Sequence, residues 1–167
     1  MAGDIGVGGG VGLGALAEGI GLLAKGGMEI AFEVVEGLVR DEAVHAFGEP
    51  VDGPSIRRLV ALARELRITI AVGMTERDGD KAYITHVLLN GDGVIGTHRK
   101  SDLAAGEEKT WDRGDDANVF EVKGVRVGIA ICYESVNPPT CAKLKANGAE
   151  IVLAPYANGT DPDELLT

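Results

Sequence analysis

The sequence is poor in four features: cysteine, aromatic residues, basic residues and long apolar runs. Of its 167 residues, 2 are cysteine and 4% are aromatic, which argues against a disulfide framework and against base-stacking platforms. The 16 lysines and arginines stand against 26 acidic residues, and this balance makes nucleic acid a poor candidate partner. No apolar run reaches the roughly 18 residues of a membrane span, and no signal-peptide pattern is present, so we expect no membrane partner.

The two cysteines, Cys132 and Cys141, do not have the spacing of zinc ligands. A chain with so few cysteines fits the reducing cytoplasm, so we expect a cytoplasmic protein without a metal. No cofactor motif competes for the chemistry described below, and we therefore expect no cofactor.

Glycine is abundant instead, with 25 residues, and it is concentrated at the start of the chain. Each interior glycine costs a helix about 1 kcal/mol relative to alanine, so the run Gly6–Gly14 is a poor helix. Apolar residues at helical spacing nevertheless predict a helix over Leu13–Lys25. We interpret residues 1–167 as a single domain, with residues 1–32 as its atypical glycine-rich part.

After this segment, hydrophobic patterning predicts strands that alternate with helices. The predicted strands are Met28–Phe32, Ile68–Gly73, Ala82–Leu89, Val94–His98, Val119–Val122, Val125–Ile131 and Ile151–Ala154. The predicted helices are Ser55–Leu66 and Pro139–Asn147. Hairpins combined with helix-connected strands indicate an α/β layered domain. The sequence stops on a strand and a loop, so we expect a sheet that is incomplete at the C-terminal end.

The strongest candidate for chemistry is Cys132, which ends the buried strand of GIAICYE shortly before a helix. A strand end lies at the rim of an α/β sheet, where ligands bind, and nearby backbone N–H groups can hold an oxyanion. A free cysteine is about as often a small buried apolar residue, and that interpretation stays open here. Cys141, inside a predicted helix, is expected to belong to the core.

Charged residues stand at the ends of other elements. Lys100 ends the strand of GTHRK, and its ammonium could favour the reactive thiolate of a nearby cysteine. Glu33 follows an apolar strand and could act as a general base. Glu107 and Glu108 form an acidic pair in GEEK. Each of these residues could also be a solvated surface charge.

A resemblance to a known family rests on residues in a fixed order: Glu33, Lys100 in GTHRK, Glu108 in GEEKTW and Cys132 in VRVGIAICYE, followed by GAEIVLAPYAN. This order resembles the carbon–nitrogen hydrolase (nitrilase) superfamily, and the resemblance is good over Pro50–Asn158. It implies an αββα sandwich of the nitrilase type. It also implies a homo-oligomeric hydrolase that cleaves non-peptide carbon–nitrogen bonds of a small-molecule amide, N-carbamoyl compound or nitrile.

The resemblance further implies a Glu-Lys-Cys triad that acts through a thioester acyl-enzyme. Cys132 would attack the amide carbon, Glu33 would serve as the base, and Lys100 would stabilise the oxyanion. The products from an amide would be a carboxylic acid and ammonia. Three further residues would support the triad: Glu108 beside Lys100 or the substrate, Tyr133 through its backbone N–H, and Glu134.

Two departures from the family pattern leave alternatives open. Glu33 follows Phe32 without the family's intervening proline, so Glu36 is a rival for the base. A local deletion or a shifted reading frame across the first part of the chain would explain its unusual glycine content. Family domains also run longer, so we expect a truncated chain in which part of the shell around the site is missing.

Three other functions also stay open. An inactive, truncated relative would act only by associating with other chains through exposed sheet edges. An NAD-binding oxidoreductase would use Gly10–Ala15, which fits the loose GxGxxA pattern but has no strand before it. A cysteine–histidine hydrolase would use His98 as its base.

Overall fold

The computed structural model describes residues 20–25, 28–33, 48–115 and 117–156. Within these ranges the strands are β1 (Ile20–Lys25), β2 (Met28–Glu33), β3 (Thr69–Asp78), β4 (Lys81–Asn90), β5 (Gly93–Arg99), β6 (Val119–Val122), β7 (Val125–Ile129) and β8 (Ile151–Leu153). The helices are α1 (Pro54–Leu66), α2 (Tyr133–Val136) and α3 (Pro138–Ala146), with a 3-10 turn at Glu107–Lys109. None of the helices in this described part is long and apolar enough to cross a membrane.

The strands form two sheets. The first sheet has the order β1-β2-β3-β4-β5, in which β2 and β3 are parallel and the other neighbours are antiparallel. The second sheet has the order β6-β7-β8, with an antiparallel β6–β7 hairpin and a parallel β7–β8 pair. A parallel pair needs a crossover connection, and α2 and α3 lie in the one between β7 and β8.

The first sheet is covered on both faces, because alternate residues of its central strands point in opposite directions. Ile70 and Val72 of β3 belong to a core cluster with Ile56 of α1. Ala71, which lies between them, belongs instead to a cluster with Ile129 of the second sheet. The near-continuous apolar run at the start of β3 therefore reflects burial on two sides.

The second sheet lies between the first sheet and α3. Leu144 of α3 packs with Ala117 and Ala130 in a small core cluster separate from that of Ile129. A Cβ at Gly128 would lie 3.0 Å from the Leu144 side chain, so the absence of a side chain at this position lets the helix approach closely. The layers follow the order α1, first sheet, second sheet and α3, and this is the αββα arrangement.

The structure confirms most predicted elements and corrects one. The predicted helix Ser55–Leu66 is α1, and the predicted strands reappear as β2 to β8 with shifted ends. Ile20–Lys25, which was expected to be helical within Leu13–Lys25, is strand β1. The glycines that interrupt this segment disfavour a helix, and pairing with β2 satisfies the backbone instead. The remainder of that predicted helix lies outside the described residues.

Candidate active site

Cys132 lies in a sharp turn between β7 and α2. Its backbone N–H donates to the Pro155 carbonyl at 2.7 Å, and the N–H of Ala130 donates to the Leu153 carbonyl at 2.9 Å. These two bonds continue the β7–β8 ladder up to the turn. Cys132 itself has φ 51° and ψ −111°, a backbone conformation that residues other than glycine rarely adopt. Strain of this kind is concentrated at functional sites, which supports Cys132 as the reactive residue.

The residues after Cys132 begin a short helix. Tyr133 is the first residue of α2, so its N–H is one of the donors that a helix start leaves without an intrahelical partner. This position is compatible with the oxyanion role expected for that N–H, which stays a prediction. Ser135 caps the turn from the other side, because its hydroxyl donates to the Cys132 carbonyl at 2.8 Å and also contacts the Tyr156 hydroxyl.

Lys100 follows β5 and is buried. Its backbone N–H continues the sheet by donating to the Ile84 carbonyl at 2.8 Å. Its ammonium Nζ lies 2.8 Å from Oε1 and 2.7 Å from Oε2 of Glu107. Glu107 is held in turn by the N–H of Ala104, which donates to Oε2 at 2.7 Å. The loop therefore orients the Glu107 carboxylate toward the buried Lys100 ammonium before any substrate binds.

Glu108 was expected to lie beside Lys100 or toward the substrate, and the carboxylate beside Lys100 is instead that of Glu107. Glu108 is exposed, and it accepts a hydrogen bond from the N–H of Gly106 at 2.8 Å. Its own backbone N–H and, after it, the N–H of Gly106 lower the pKa of the Glu108 carboxyl. Adjacent residues in a 3-10 turn point in directions about a third of a turn apart, so only one of the pair can face Lys100. A role of Glu108 toward the substrate stays a prediction.

Glu134 is fully buried and joins the segments that carry Lys100 and Cys132. Its Oε2 accepts from the N–H of Ile131 at 2.8 Å and lies 2.8 Å from Nε2 of His98. Its Oε1 accepts from the N–H and the hydroxyl of Ser101, at 2.7 and 2.8 Å. Burial acts to raise the pKa of Glu134, but the hydrogen bond and charge of His98 and the N–H donors outweigh it and lower that pKa to about 2.

Two buried histidines lie beside this carboxylate. His98 of β5 is paired in register with His86 of β4, and both are almost inaccessible to solvent. The pKa of His86 is lowered to about 4, first by burial and then by the charge of His98. His98 Nε2 is engaged by Glu134, and its Nδ1 has no hydrogen-bond partner within the described ranges. The described part of the chain therefore contains no His98–Cys132 hydrogen bond of the kind that a cysteine–histidine hydrolase needs.

Asp102 holds the Lys100 loop from its other end. Its Oδ2 accepts from Nδ2 of Asn137 at 2.7 Å and from the hydroxyl of Thr140 at 2.6 Å, both at the start of α3. This contact and the role of Ser101 carry no signal in the sequence, because no local pattern links residues more than thirty positions apart. Among the described residues, no group of three or more histidine, cysteine, aspartate or glutamate side chains could hold a metal ion.

The expected base belongs to the first sheet. Glu33 ends β2, where its backbone is paired with Val72 of β3. Two strands, β3 and β4, separate β2 from β5, the strand that leads to Lys100. The described residues include the backbone of Glu33 but not its side chain, and Glu36 lies outside them. The choice of Glu33 as base, with Glu36 as the alternative, stays a prediction.

Comparison with known proteins decides the family. The carbon–nitrogen hydrolase family matches the chain over residues 23–166. The chain belongs to this family. Among curated relatives, the bifunctional nitrilase/nitrile hydratase NIT4B of Nicotiana tabacum is 32% identical over 138 residues, which are 81% of this chain and 40% of that protein. An (R)-stereoselective amidase of a Pseudomonas species is 28% identical over 124 residues, which are 74% of this chain and 45% of that protein.

Solved structures agree with the fold of this chain. Saccharomyces cerevisiae Nit3, a member of branch 10 of the nitrilase superfamily, has a TM-score of 0.65 at 23% identity, over 78% of this chain and 51% of Nit3. An amidase from a Nesterenkonia species has a TM-score of 0.58 at 25% identity, over 77% of this chain and 47% of the amidase. The predicted family and the predicted αββα fold are confirmed. The chain spans less than half the length of the curated relatives named above.

Proposed function

We propose that this chain carries a Glu-Lys-Cys site that hydrolyses the carbon–nitrogen bond of a small amide. One observation carries the proposal: the Glu134 carboxylate hydrogen-bonds both to Ser101, next to Lys100, and to Ile131, next to Cys132. A strained cysteine turn and a buried lysine are thereby linked through a single side chain. Covalent catalysis requires a nucleophile and a charge-stabilising group held in one fixed geometry.

In the proposed reaction, the sulfur of Cys132 attacks the amide carbon and gives a tetrahedral oxyanion. Lys100 and the backbone N–H of Tyr133 stabilise the negative oxygen. The base, Glu33 or Glu36, passes the thiol proton to the leaving nitrogen, and ammonia departs as the thioester forms. Water, deprotonated by the same base, then attacks the thioester, so a carboxylic acid is released and the thiol is restored.

The Lys100–Glu107 pair supports the role given to Lys100. An ammonium has three donors, and the two Glu107 oxygens accept from it at 2.8 and 2.7 Å. Among the contacts of the described residues, one donor direction is then left for an oxyanion. Because Lys100 is buried, its charge acts with little screening by water, which increases its effect on a developing negative charge.

The substrate is proposed to be an amide, with a nitrile or an N-carbamoyl compound as the alternatives. The named relatives include both an amidase and a nitrilase/nitrile hydratase. The sulfur of the proposed triad could attack the electrophilic carbon of either an amide or a nitrile. A sulfur attack on a nitrile would give a thioimidate in place of the tetrahedral oxyanion. The first activity measurement therefore includes both amides and nitriles as substrates.

The first experiment is site-resolved alkylation of the folded chain with iodoacetamide at mildly acidic pH, followed by mass spectrometry. Cys141 was expected to belong to the core, but it is exposed, so it serves as the reference thiol in the same sample. We expect Cys132 to react faster than Cys141 and to lose this advantage in Lys100→Ala. Ammonia release from the amide and nitrile panel and a thioester adduct on Cys132 then test turnover. Equal, slow reaction of both cysteines in the parent and the variant would count against an assembled site.

Two further properties remain proposals. A cytoplasmic location is supported by the two free cysteines of the described part, Cys132 and Cys141. Homo-oligomeric assembly is supported by the exposure of Val136 and Val152, which are apolar. Association without catalysis is the alternative function, and the alkylation experiment separates it from the hydrolase because association requires no reactive thiol.

A further inference from the structure

The two oxygens of the Glu134 carboxylate form hydrogen bonds with different segments of the chain. Oε1 accepts from the N–H and the hydroxyl of Ser101, and the N–H of Asp102 lies 3.3 Å away from it. Oε2 accepts from the N–H of Ile131 at 2.8 Å and contacts His98 at the same distance. The first oxygen thus contacts the loop after β5, and the second contacts the turn after β7 and the strand β5 itself.

We propose that Glu134, held by His98, is a positioning residue that sets the place of Lys100 relative to Cys132. Ser101 directly follows Lys100, and Ile131 directly precedes Cys132, so each contact acts one peptide away from a candidate catalytic residue. The inference rests on the proposed function, because it concerns how that site is assembled. Glu134 itself is given no contact with the reacting atoms.

The contacts require a carboxylate and not merely a polar side chain. Three N–H groups and a hydroxyl point at the two oxygens, together with Nε2 of His98. An ionised carboxylate is an acceptor at both oxygens and can satisfy all of these donors. A glutamine amide would turn its NH₂ group toward at least one set of donors and leave a buried polar group unpaired.

His98 fixes the carboxylate from the side of the first sheet. Because Glu134 is ionised at neutral pH, Nε2 of His98 donates to it. His98 is two residues before Lys100 on the same chain segment and is paired in register with His86. The carboxylate is therefore attached to a rigid strand, to the loop that follows it, and to the cysteine turn.

A second contact restrains the same loop but reaches neither candidate catalytic residue. The Asp102 carboxylate accepts from Asn137 and Thr140 at the start of α3. These bonds fix the outer end of the loop. The Glu134 carboxylate, in contrast, contacts the residue after Lys100 and the residue before Cys132, so a substitution there should change reactivity and not only stability.

The test measures the alkylation rate of Cys132 against that of Cys141 in the full chain, at a temperature where melting curves show every variant to be folded. We expect Glu134→Gln and His98→Leu to slow Cys132 by about tenfold or more, as misplacement of a reacting group does. His98→Gln, which keeps an N–H donor for Glu134, is expected to recover most of the rate lost in His98→Leu. The matched control is Glu121→Gln, which removes a carboxylate from the exposed face of β6.

A double-mutant cycle separates positioning from a general loss of structure. If Glu134 acts through Lys100, Glu134→Gln should slow Cys132 in the parent but add nothing in the Lys100→Ala background. A purely structural effect would slow Cys132 equally in both backgrounds and would overturn the inference. If Glu134→Gln does not fold, the comparison of His98→Leu with His98→Gln in the two backgrounds carries the test.

The outcomes distinguish this inference from the proposed function. Parental reactivity in folded Glu134→Gln and His98→Leu, combined with slow reaction in Lys100→Ala, would refute the positioning role and leave the Lys-Cys site intact. Parental reactivity in Lys100→Ala would refute both, since Lys100 would then have no influence that Glu134 could direct.

Discussion

The Lys100 ammonium lies 2.8 Å from Oε1 and 2.7 Å from Oε2 of Glu107, so one carboxylate holds this charge with both of its oxygens. The Lys100 side chain is 1% exposed, whereas that of Glu107 is 28% exposed. Lysine is almost never fully buried without a partner, because an unpaired ammonium loses its hydration. Glu107 therefore makes it possible for Lys100 to lie in the interior.

The two adjacent glutamates of the 3-10 turn give a matched pair of substitutions. Glu107→Gln is expected to lower the free energy of unfolding by about 2 kcal/mol, because the buried Lys100 loses its counter-charge at a site that water partly reaches. Glu108→Gln is expected to leave the free energy of unfolding almost unchanged, because Glu108 faces solvent. Urea unfolding of the parent and both variants measures these differences. Equal losses in the two variants would show that the pairing is misassigned.

The buried carboxylate of Glu134 predicts a specific acid sensitivity. Its pKa is lowered from the ordinary value of 4.5 to about 2, against the effect of burial, by the hydrogen bond and charge of His98 and by the backbone N–H groups of Ile131 and Ser101. A group with a lowered folded-state pKa stabilises the fold above its unfolded pKa, and this contribution is lost as the pH falls through the folded value. The window of loss is therefore from about pH 4.5 down to about pH 2.

Over that window, the parent is expected to lose about 3 kcal/mol more free energy of unfolding than Glu134→Gln. The glutamine has no proton to take up, so its stability curve should be flatter although it starts lower. Chemical unfolding at a series of pH values measures both slopes. Glu121→Gln, a change on the exposed face of β6, should follow the parent. Parallel curves for the parent and Glu134→Gln would contradict the lowered pKa.

The close approach of the two sheets at Gly96 requires the absence of a side chain there. A Cβ at Gly96 of β5 would overlap the ring of Phe120 of β6. Gly96→Ala is therefore expected to lower the free energy of unfolding by about 1–3 kcal/mol through overpacking. The smaller side chain in Phe120→Leu should recover part of this loss when it is combined with Gly96→Ala. Thermal unfolding of the two single variants and the double variant measures the coupling, and simple additivity would argue against a direct clash.

The sequence predicted the elements that carry their own local signal. The amphipathic helix Ser55–Leu66 and the strand that ends at Cys132 could be recognised because apolar periodicity and turn residues agree there. Ile20–Lys25 was misassigned, because its apolar spacing fits a helix while its pairing with β2 is a long-range property. The carboxylate beside Lys100 was misassigned to Glu108 for a similar reason. Two adjacent glutamates look alike in sequence, and only the turn geometry decides which one faces inward.

Residues around Glu134 could not be predicted for a different reason. Ser101 and Glu134 are separated by 33 positions, and their contact exists only when β5 and β7 belong to two packed sheets. Neither a serine after a lysine nor a glutamate after a cysteine is a pattern with a meaning of its own. The family resemblance identified the candidate catalytic residues, whereas the contacts that hold them follow from packing.

The backbone conformation of Cys132 predicts that glycine is more stable than alanine at this position, the reverse of the usual order. At most positions glycine is less stable than alanine, because it loses more conformational freedom on folding. Cys132 has φ 51° and ψ −111°, a conformation that glycine adopts without steric strain but alanine does not. Cys132→Gly is therefore expected to be more stable than Cys132→Ala by about 1 kcal/mol, as measured by urea unfolding.

The chain contains its own control for that reversal. Cys141 lies inside α3, where the backbone is helical, so Cys141→Gly should be less stable than Cys141→Ala by about 1 kcal/mol. Opposite signs at the two cysteines would show that the turn at Cys132 stores backbone strain, and that this strain is relieved only by a residue without a Cβ. The same sign at both positions would mean that Cys132 sits in an ordinary conformation in solution, and strain would then give no support to its assignment as the nucleophile.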